Sequence, residues 1–271
     1  MLDKTIGFIG SGNMGSAMIG GIISSGLVPA AKVIASAKTQ ATLDKLTQSY
    51  AIRTTLDNLT VAKEADILFL AVKPYLYETV IKEIREVITP EQIIVAIAAG
   101  QTIALMESLF SQPVKLVRTM PNTPAMVLEA MSAITPNEHM EQSDIDMVVA
   151  IFESFGQAEI VSENLMDAVV GVSGSSPAYV YMFIEAMADA AVNDGMPRAQ
   201  AYKFAAQSVL GAAKMVLETG KHPGELKDAV CSPGGTTIMA VAKLEEGGLR
   251  STVIEAQNAC AAKSREMSSG K

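Results

Sequence analysis

The chain has 271 residues, 49% of them hydrophobic and 18% charged, with a formal net charge of −8. That length suits one large domain or two smaller ones. The acidic balance argues against nucleic acid as a partner but leaves room for a locally built site for a small anion. Two cysteines, Cys231 and Cys260, give neither a disulfide framework nor a zinc spacing, as expected in a reducing cytosol.

The opening "MLDKTIGFIG" lacks the pattern of a secretory leader, and no run of about 18 apolar residues follows, so a cytoplasmic protein without a membrane span is expected. The first half alternates. "TIGFIG" reads as a strand, "SGNMG" as a glycine turn and "SAMIGGIISSGL" as a helix. "KVIAS" is a second strand and "TQATLDKLTQSY" a second helix. Further strands are expected at 65–72, 92–99 and 114–120, with helices near 75–88 and 102–110. Continuous apolar strands are the pattern of a sheet covered by helices on both faces, so a doubly wound, mostly parallel α/β domain is expected.

After about Val161 the strand-like runs give way to helical segments rich in Ala, Met and Leu. Pro177, Pro197 and Pro223 stand near helix starts, and Gly195 and Gly220 near helix stops. The expected boundary separates a dinucleotide-binding domain, 1–162, from an all-α domain, 163–271. "YVYMFIEAMADAAV" is apolar around most of its circumference, which points to burial against a second copy and hence to a homodimer.

Gly10, Gly12 and Gly15 have the G-x-G-x-x-G spacing. The spacing alone is a weak signal; its place between a strand and a helix makes it a dinucleotide fingerprint. The first glycine makes the tight turn, the second admits the pyrophosphate, and the third lets helix and strand pack closely. At the end of the second strand, where an acidic residue would mark a preference for NAD, stand Ser36, Ala37 and Lys38. A serine donor and a lysine charge suit a 2′-phosphate, so NADPH is the expected cofactor, ahead of NADH. Lys38 equally reads as a solvated lysine. Val72, Lys73, Pro74 and Ala98, Ala99, Gly100 end two more strands, where small residues leave space for the nicotinamide ribose and ring. Lys73 reads as a cofactor contact rather than a catalytic lysine. Asn122, in "TMPNTP", is a candidate to orient the ring side, or a plain turn residue.

Late in the chain, "CSPGGTTI" places small donors at a helix start with no histidine and no metal ligand beside them. It reads as an anion site, or as a capped helix start needing no ligand. His139 and His222 lie in no triad or ligand pattern, and no metal site is expected.

"GFIGSGNMG", "AVKP", "AAG", "SGSSPAY" and above all "LKDAVCSPGGTTI" closely resemble the pyrroline-5-carboxylate reductase family over nearly the whole chain. The resemblance implies a Rossmann domain with a helical domain that interlocks into dimers, often further into decamers. It implies reduction of 1-pyrroline-5-carboxylate to L-proline with NADPH or NADH. The implied cofactor residues are Ile9, Gly10, Gly12, Asn13, Met14, Gly15, the Ser36–Lys38 loop, Asn58, Ala71–Pro74 and Ala98–Gly100. The implied substrate residues are Glu163, Ser232, Gly234, Gly235, Thr236 and Thr237, with Ser175 as a further lining candidate. On this reading the Gly234, Gly235 and Thr236 N–H groups bind the carboxylate, Ser232 adds a hydroxyl, and Thr237 is the catalytic partner of the ring nitrogen. Thr236 stands where relatives often have Ala, and the second-strand loop "SAKT" varies among members, which leaves the cofactor choice open. Two other readings compete: a β-hydroxyacid-type dehydrogenase, for which Lys203, Lys214 and Lys227 supply lysines outside that family's motif, and a non-catalytic NADP-binding redox sensor.

Overall fold

A computed structural model describes residues 2–268. Its backbone divides into two compact units, one running up to Ser175 and including the chain from Cys260 onward, the other spanning Ser176–Ala259. The change of texture at 162/163 therefore precedes the unit boundary by one short helical stretch. Residues 163–175 are helical in sequence character yet pack with the sheet-bearing unit.

The first unit is built on an eight-stranded sheet. In chain order its elements are β1 (Ile6–Ile9), α1 (Asn13–Ser24), β2 (Val33–Ser36), α2 (Gln40–Tyr50), β3 (Arg53–Thr55), α3 (Asn58–Glu64), β4 (Ile67–Leu70), α4 (Tyr77–Ile84), β5 (Ile93–Ala96), α5 (Ile103–Glu107), β6 (Lys115–Met120), β7 (Ala130–Pro136), α6 (Gln142–Glu153), β8 (Gly156–Ile160) and α7 (Met166–Val169). A π-helical turn, Val170–Ser175, closes the series. The strand order is β3-β2-β1-β4-β5-β6-β7-β8. All pairs are parallel except β6 with β7. The five apolar strands expected from sequence are present, while β3, β7 and β8 extend the sheet at its two ends.

Alternating side chains of the same strands feed two cores. Ile67 and Phe69 join Ile6, Phe8, Ile93 and Val95 on one face, covered by α1 and α6. Leu68 and Leu70 join Ile9, Ile94 and Leu116 on the other, covered by α3 and α4. Burial on both faces is why these strands are apolar throughout rather than alternating. Phe8 and Phe69 stack at 4.6 Å between ring centroids, anchoring the centre of the first core.

The second unit contains α8 (Ser176–Asn193), α9 (Arg198–Thr219), α10 (Pro223–Val230), α11 (Thr236–Glu246) and the start of α12 (Leu249–Ser268). α8 and α9 pack against each other. The expected punctuation is present: Gly220 ends α9 at φ +63°, and Pro223 opens α10 behind the N-cap His222, whose Nδ1 accepts from the Gly224 N–H. Within its helices only small residues, Ala188, Ala201 and Ala205, are buried. Tyr181, Met182, Phe204, Met215, Leu217 and Met239 are exposed. Helices this apolar with so little enclosed core present a face that water does not favour.

Candidate functional site

The fingerprint turn is built as its spacing requires. β1 lies between β2 and β4, so the chain's connections diverge there and leave a crevice at the strand ends. Gly10 adopts φ +92°, and a Cβ on it would sit 2.8 Å from the Ala71 carbonyl oxygen. A Cβ on Gly15 would sit 2.8 Å from the Gly10 oxygen. A Cβ on Gly12, in contrast, would meet nothing within 4 Å. Two glycines are thus demanded by the protein itself, and the third opens the exposed side of the turn, where a pyrophosphate can approach the backbone. Gly12 is the N-cap of α1, so Asn13 and Met14 present the unpaired N–H groups of its first turn on that side. The turn fits a dinucleotide.

The end of β2 differs from expectation. Ser36 is 1% exposed, and its hydroxyl donates to Asn58 Oδ1 at 2.7 Å. Asn58 Nδ2 donates in turn to Glu83 Oε2 at 2.9 Å. Packing against α3 has turned the serine inward, so its hydroxyl fixes Asn58 instead of facing a phosphate. Lys38 is exposed, and Ala37 is half-buried.

The loops after β4 and β5 lie side by side. Ala71, Val72 and Pro74 are half-buried and Lys73 is exposed; Ala98 and Gly100 are buried, with Ala99 between them half-buried. Gly100 holds φ +77°, and a Cβ there would come within 3.1 Å of Met267 Cβ. Asn122 is not available to orient a ring. It is buried, its Nδ2 donates to the Ser173 carbonyl at 3.0 Å, and its Oδ1 accepts from the Met131 N–H at 2.9 Å. The amide ties the end of β6 to β7 and to the π turn.

Glu163 and Ser175 also belong to the first unit. Glu163 Oε1 pairs with Arg118 at 2.9 Å and accepts from the Ile103 N–H at 2.8 Å. Arg118, on β6, has a side chain only 5% exposed. Sequence reading passed over it, although an arginine inside an apolar strand signals a buried pair. Ser175 Oγ accepts from Cys260 Sγ at 3.2 Å.

Ser232, Gly234, Gly235, Thr236 and Thr237 are grouped in the second unit. Pro233 and Gly234 form the corner of a tight turn, with Gly234 at φ +68°. The Gly235 N–H closes that turn on the Ser232 carbonyl at 3.0 Å. Gly235 is therefore not a free donor, contrary to expectation. It is the N-cap of α11, so the Thr236 and Thr237 N–H groups of the helix's first turn lack an intrahelical acceptor, and the Gly234 N–H has no backbone acceptor among the described residues. Ser232 and Thr236 are exposed, and Thr237 is half-buried.

A glycine fingerprint at the switch point of a doubly wound sheet, followed by a helical unit with a donor-rich helix start, defines a dinucleotide-dependent oxidoreductase. Residues 5–100 match the family model described as NADP oxidoreductase coenzyme F420-dependent, and residues 163–267 match the one described as pyrroline-5-carboxylate reductase dimerisation. The chain is 51% identical to the pyrroline-5-carboxylate reductase of Escherichia coli over 98% of its length and 99% of the relative's. Among solved structures, that of a Coxiella burnetii pyrroline-5-carboxylate reductase superposes with a TM-score of 0.90 at 33% identity, covering 98% of this chain and 99% of the other. A Plasmodium falciparum pyrroline carboxylate reductase with NADP bound superposes at 0.91 and 30% identity, covering 99% of each chain. The chain belongs to the pyrroline-5-carboxylate reductase family.

Proposed function

We propose that this enzyme carries the activity of its family, reduction of 1-pyrroline-5-carboxylate to L-proline at the last step of proline biosynthesis, with NADPH as the preferred donor. The observation that carries the substrate reading is the turn of Ser232–Gly235 leading into α11. Its left-handed glycine and closed hydrogen bond lead into a helix start whose first-turn N–H groups, Thr236 and Thr237 among them, lie at the positive end of a helix dipole.

In this reading the Gly234, Thr236 and Thr237 N–H groups and the Ser232 hydroxyl hold the substrate carboxylate. The Thr237 hydroxyl holds the ring nitrogen. The loops Gly10–Gly12, Ala71–Pro74 and Ala98–Gly100 would hold a nicotinamide cofactor, which would supply the hydride when bound. The nitrogen must gain a proton, because an iminium accepts hydride far more readily than a neutral imine. A threonine hydroxyl is too weak an acid to be a strong general acid. Thr237 therefore orients the nitrogen and passes on a proton that originates in water. Catalysis rests mainly on positioning.

The preference for NADPH rests on the exposed Lys38, and the NADP-bound structure of the Plasmodium relative supports a nicotinamide cofactor. The exposed apolar faces of the second unit and the match to a dimerisation family support a homodimer. Among the described residues no helix is long and apolar enough to cross a membrane.

The test is NADPH oxidation measured with pyrroline-5-carboxylate and with 3-oxo acids. Turnover of the cyclic imine alone is expected. Turnover of the 3-oxo acids alone would favour a β-hydroxyacid dehydrogenase, and cofactor binding without any turnover would favour a sensor.

A further inference from the structure

The parallel ladder between β4 and β5 stops at an unusual place. Ile67 is paired with Ile93, and the Ile93 N–H donates to the Asp66 carbonyl at 3.0 Å. Such a register repeats every two residues, so a later rung would join the Ile97 N–H to the Leu70 carbonyl. The Tyr77 hydroxyl occupies that rung. It accepts from the Ile97 N–H at 3.0 Å and from the Ala98 N–H at 3.2 Å, and donates to the Leu70 oxygen at 2.5 Å. The phenol is 1% exposed, and its three partners use the full capacity of one hydroxyl.

The consequence is a fork. A direct rung would draw Leu70 and Ile97 together and continue the ladder into the two loops that follow. An inserted oxygen keeps the strands apart by its own width while satisfying the backbone groups that parting exposes. The loops on either side are Ala71–Pro74 and Ala98–Gly100. A second, longer tie, from Gln101 Nε2 to the Pro74 carbonyl at 3.4 Å, joins them further out.

We propose that Tyr77 is a positioning residue for the nicotinamide half of the cofactor: its hydroxyl replaces a ladder rung and sets the width of the cleft between these loops. The inference rests on the reading of both loops as cofactor-binding. Burial holds the phenol above its ordinary range, so the hydroxyl remains a donor to Leu70 throughout neutral and mildly alkaline pH.

Tyr77→Phe keeps the ring and removes the wedge. Binding of NADPH and of adenosine 2′,5′-bisphosphate, which carries only the adenosine half, would be measured by calorimetry. The expected result is a Kd for NADPH raised about tenfold, the scale of one lost buried hydrogen bond, with the bisphosphate within about twofold of wild type. Unchanged NADPH binding, whatever happens to Tm, would overturn the proposal. Equal weakening of both ligands would overturn it too, since that marks general loosening of the domain. Ala99→Leu separates this inference from its premise. If that variant binds NADPH as wild type does, the loops are not the nicotinamide site; if it binds poorly while Tyr77→Phe binds normally, only the role of Tyr77 falls. Should Tyr77→Phe not fold, amide exchange in the wild-type enzyme without cofactor decides. Slow exchange at Ile97 and Ala98 supports a preformed fork, and rapid exchange contradicts it.

Discussion

The Ser36 hydroxyl donates to Asn58 Oδ1 at 2.7 Å, joining the end of β2 to the first residue of α3 inside the protein. In the proposed reading, recognition of a 2′-phosphate therefore falls to Lys38, one of the exposed residues at this turn. Lys38→Ala should raise KM for NADPH about tenfold, the scale of one charge-assisted hydrogen bond, and leave KM for NADH nearly unchanged. Ser36→Ala should instead lower stability by about 1 kcal/mol and weaken both cofactors alike. Steady-state kinetics with the two cofactors, together with denaturant melts, separate the two effects.

The turn ahead of α11 has two glycines with different duties. A Cβ on Gly235 would lie 2.4 Å from Ser232 Oγ, so Gly235→Ala must displace that hydroxyl. A Cβ on Gly234 meets nothing within 4 Å, but its φ of +68° strains an alanine by about 1–2 kcal/mol. Gly235→Ala should raise KM for the imine while Tm stays near wild type. Gly234→Ala should lower Tm as well.

Arg118 is nearly enclosed, whereas its partner Glu163 is about one-third exposed at 35%. Glu163→Ala strands a buried guanidinium and leaves the Ile103 N–H without its acceptor, at a cost of about 3 kcal/mol. Glu163→Gln keeps an oxygen for both donors and should restore most of the stability. Thermal melts of the two variants check this. A fall in kcat/KM that persists in the stable Glu163→Gln would place the carboxylate charge itself in substrate binding.

Asp57 caps α3, accepting from the Leu59 and Thr60 N–H groups and the Thr60 hydroxyl. The Thr60 side-chain hydrogen bond is the main cause of its lowered pKa. A carboxyl depressed in the folded state stabilises above its unfolded value, about 4, and loses that contribution as pH falls through the folded value. Asp57→Ala should therefore be less stable than wild type at neutral pH, with the gap closing in acid. Urea midpoints measured across this range test the sign.

The fold was legible where chemistry is local. β1, β4 and β5 carry no polar side chain because both faces are buried, β2 and β6 keep an apolar run beside Ser36 and Arg118 respectively, and Gly10, Gly12 and Gly15 announce their turn by spacing and position. β3 escaped because it is three residues, Arg-Thr-Thr, at the edge of the sheet, and β8 because its side chains are mostly exposed and give no apolar run. The inward turn of Ser36 depends on Asn58, 22 residues away, and the role of Tyr77 on a register between two strands. The closed Gly235 N–H depends on the left-handed Gly234; the Pro-Gly pair announces a turn, but which N–H the turn consumes follows only from its closed geometry. Long-range partners decided what local pattern left open.

The central claim is that the start of α11 holds the carboxylate and ring nitrogen of a cyclic imine. The most direct measurement is kcat and KM for 1-pyrroline-5-carboxylate with NADPH in Thr237→Val, which keeps the side chain's shape and removes its hydroxyl. The account predicts a fall in kcat of about a hundredfold with Tm and NADPH binding intact, as befits a residue that orients a proton transfer. A folded variant with wild-type kcat/KM would contradict it.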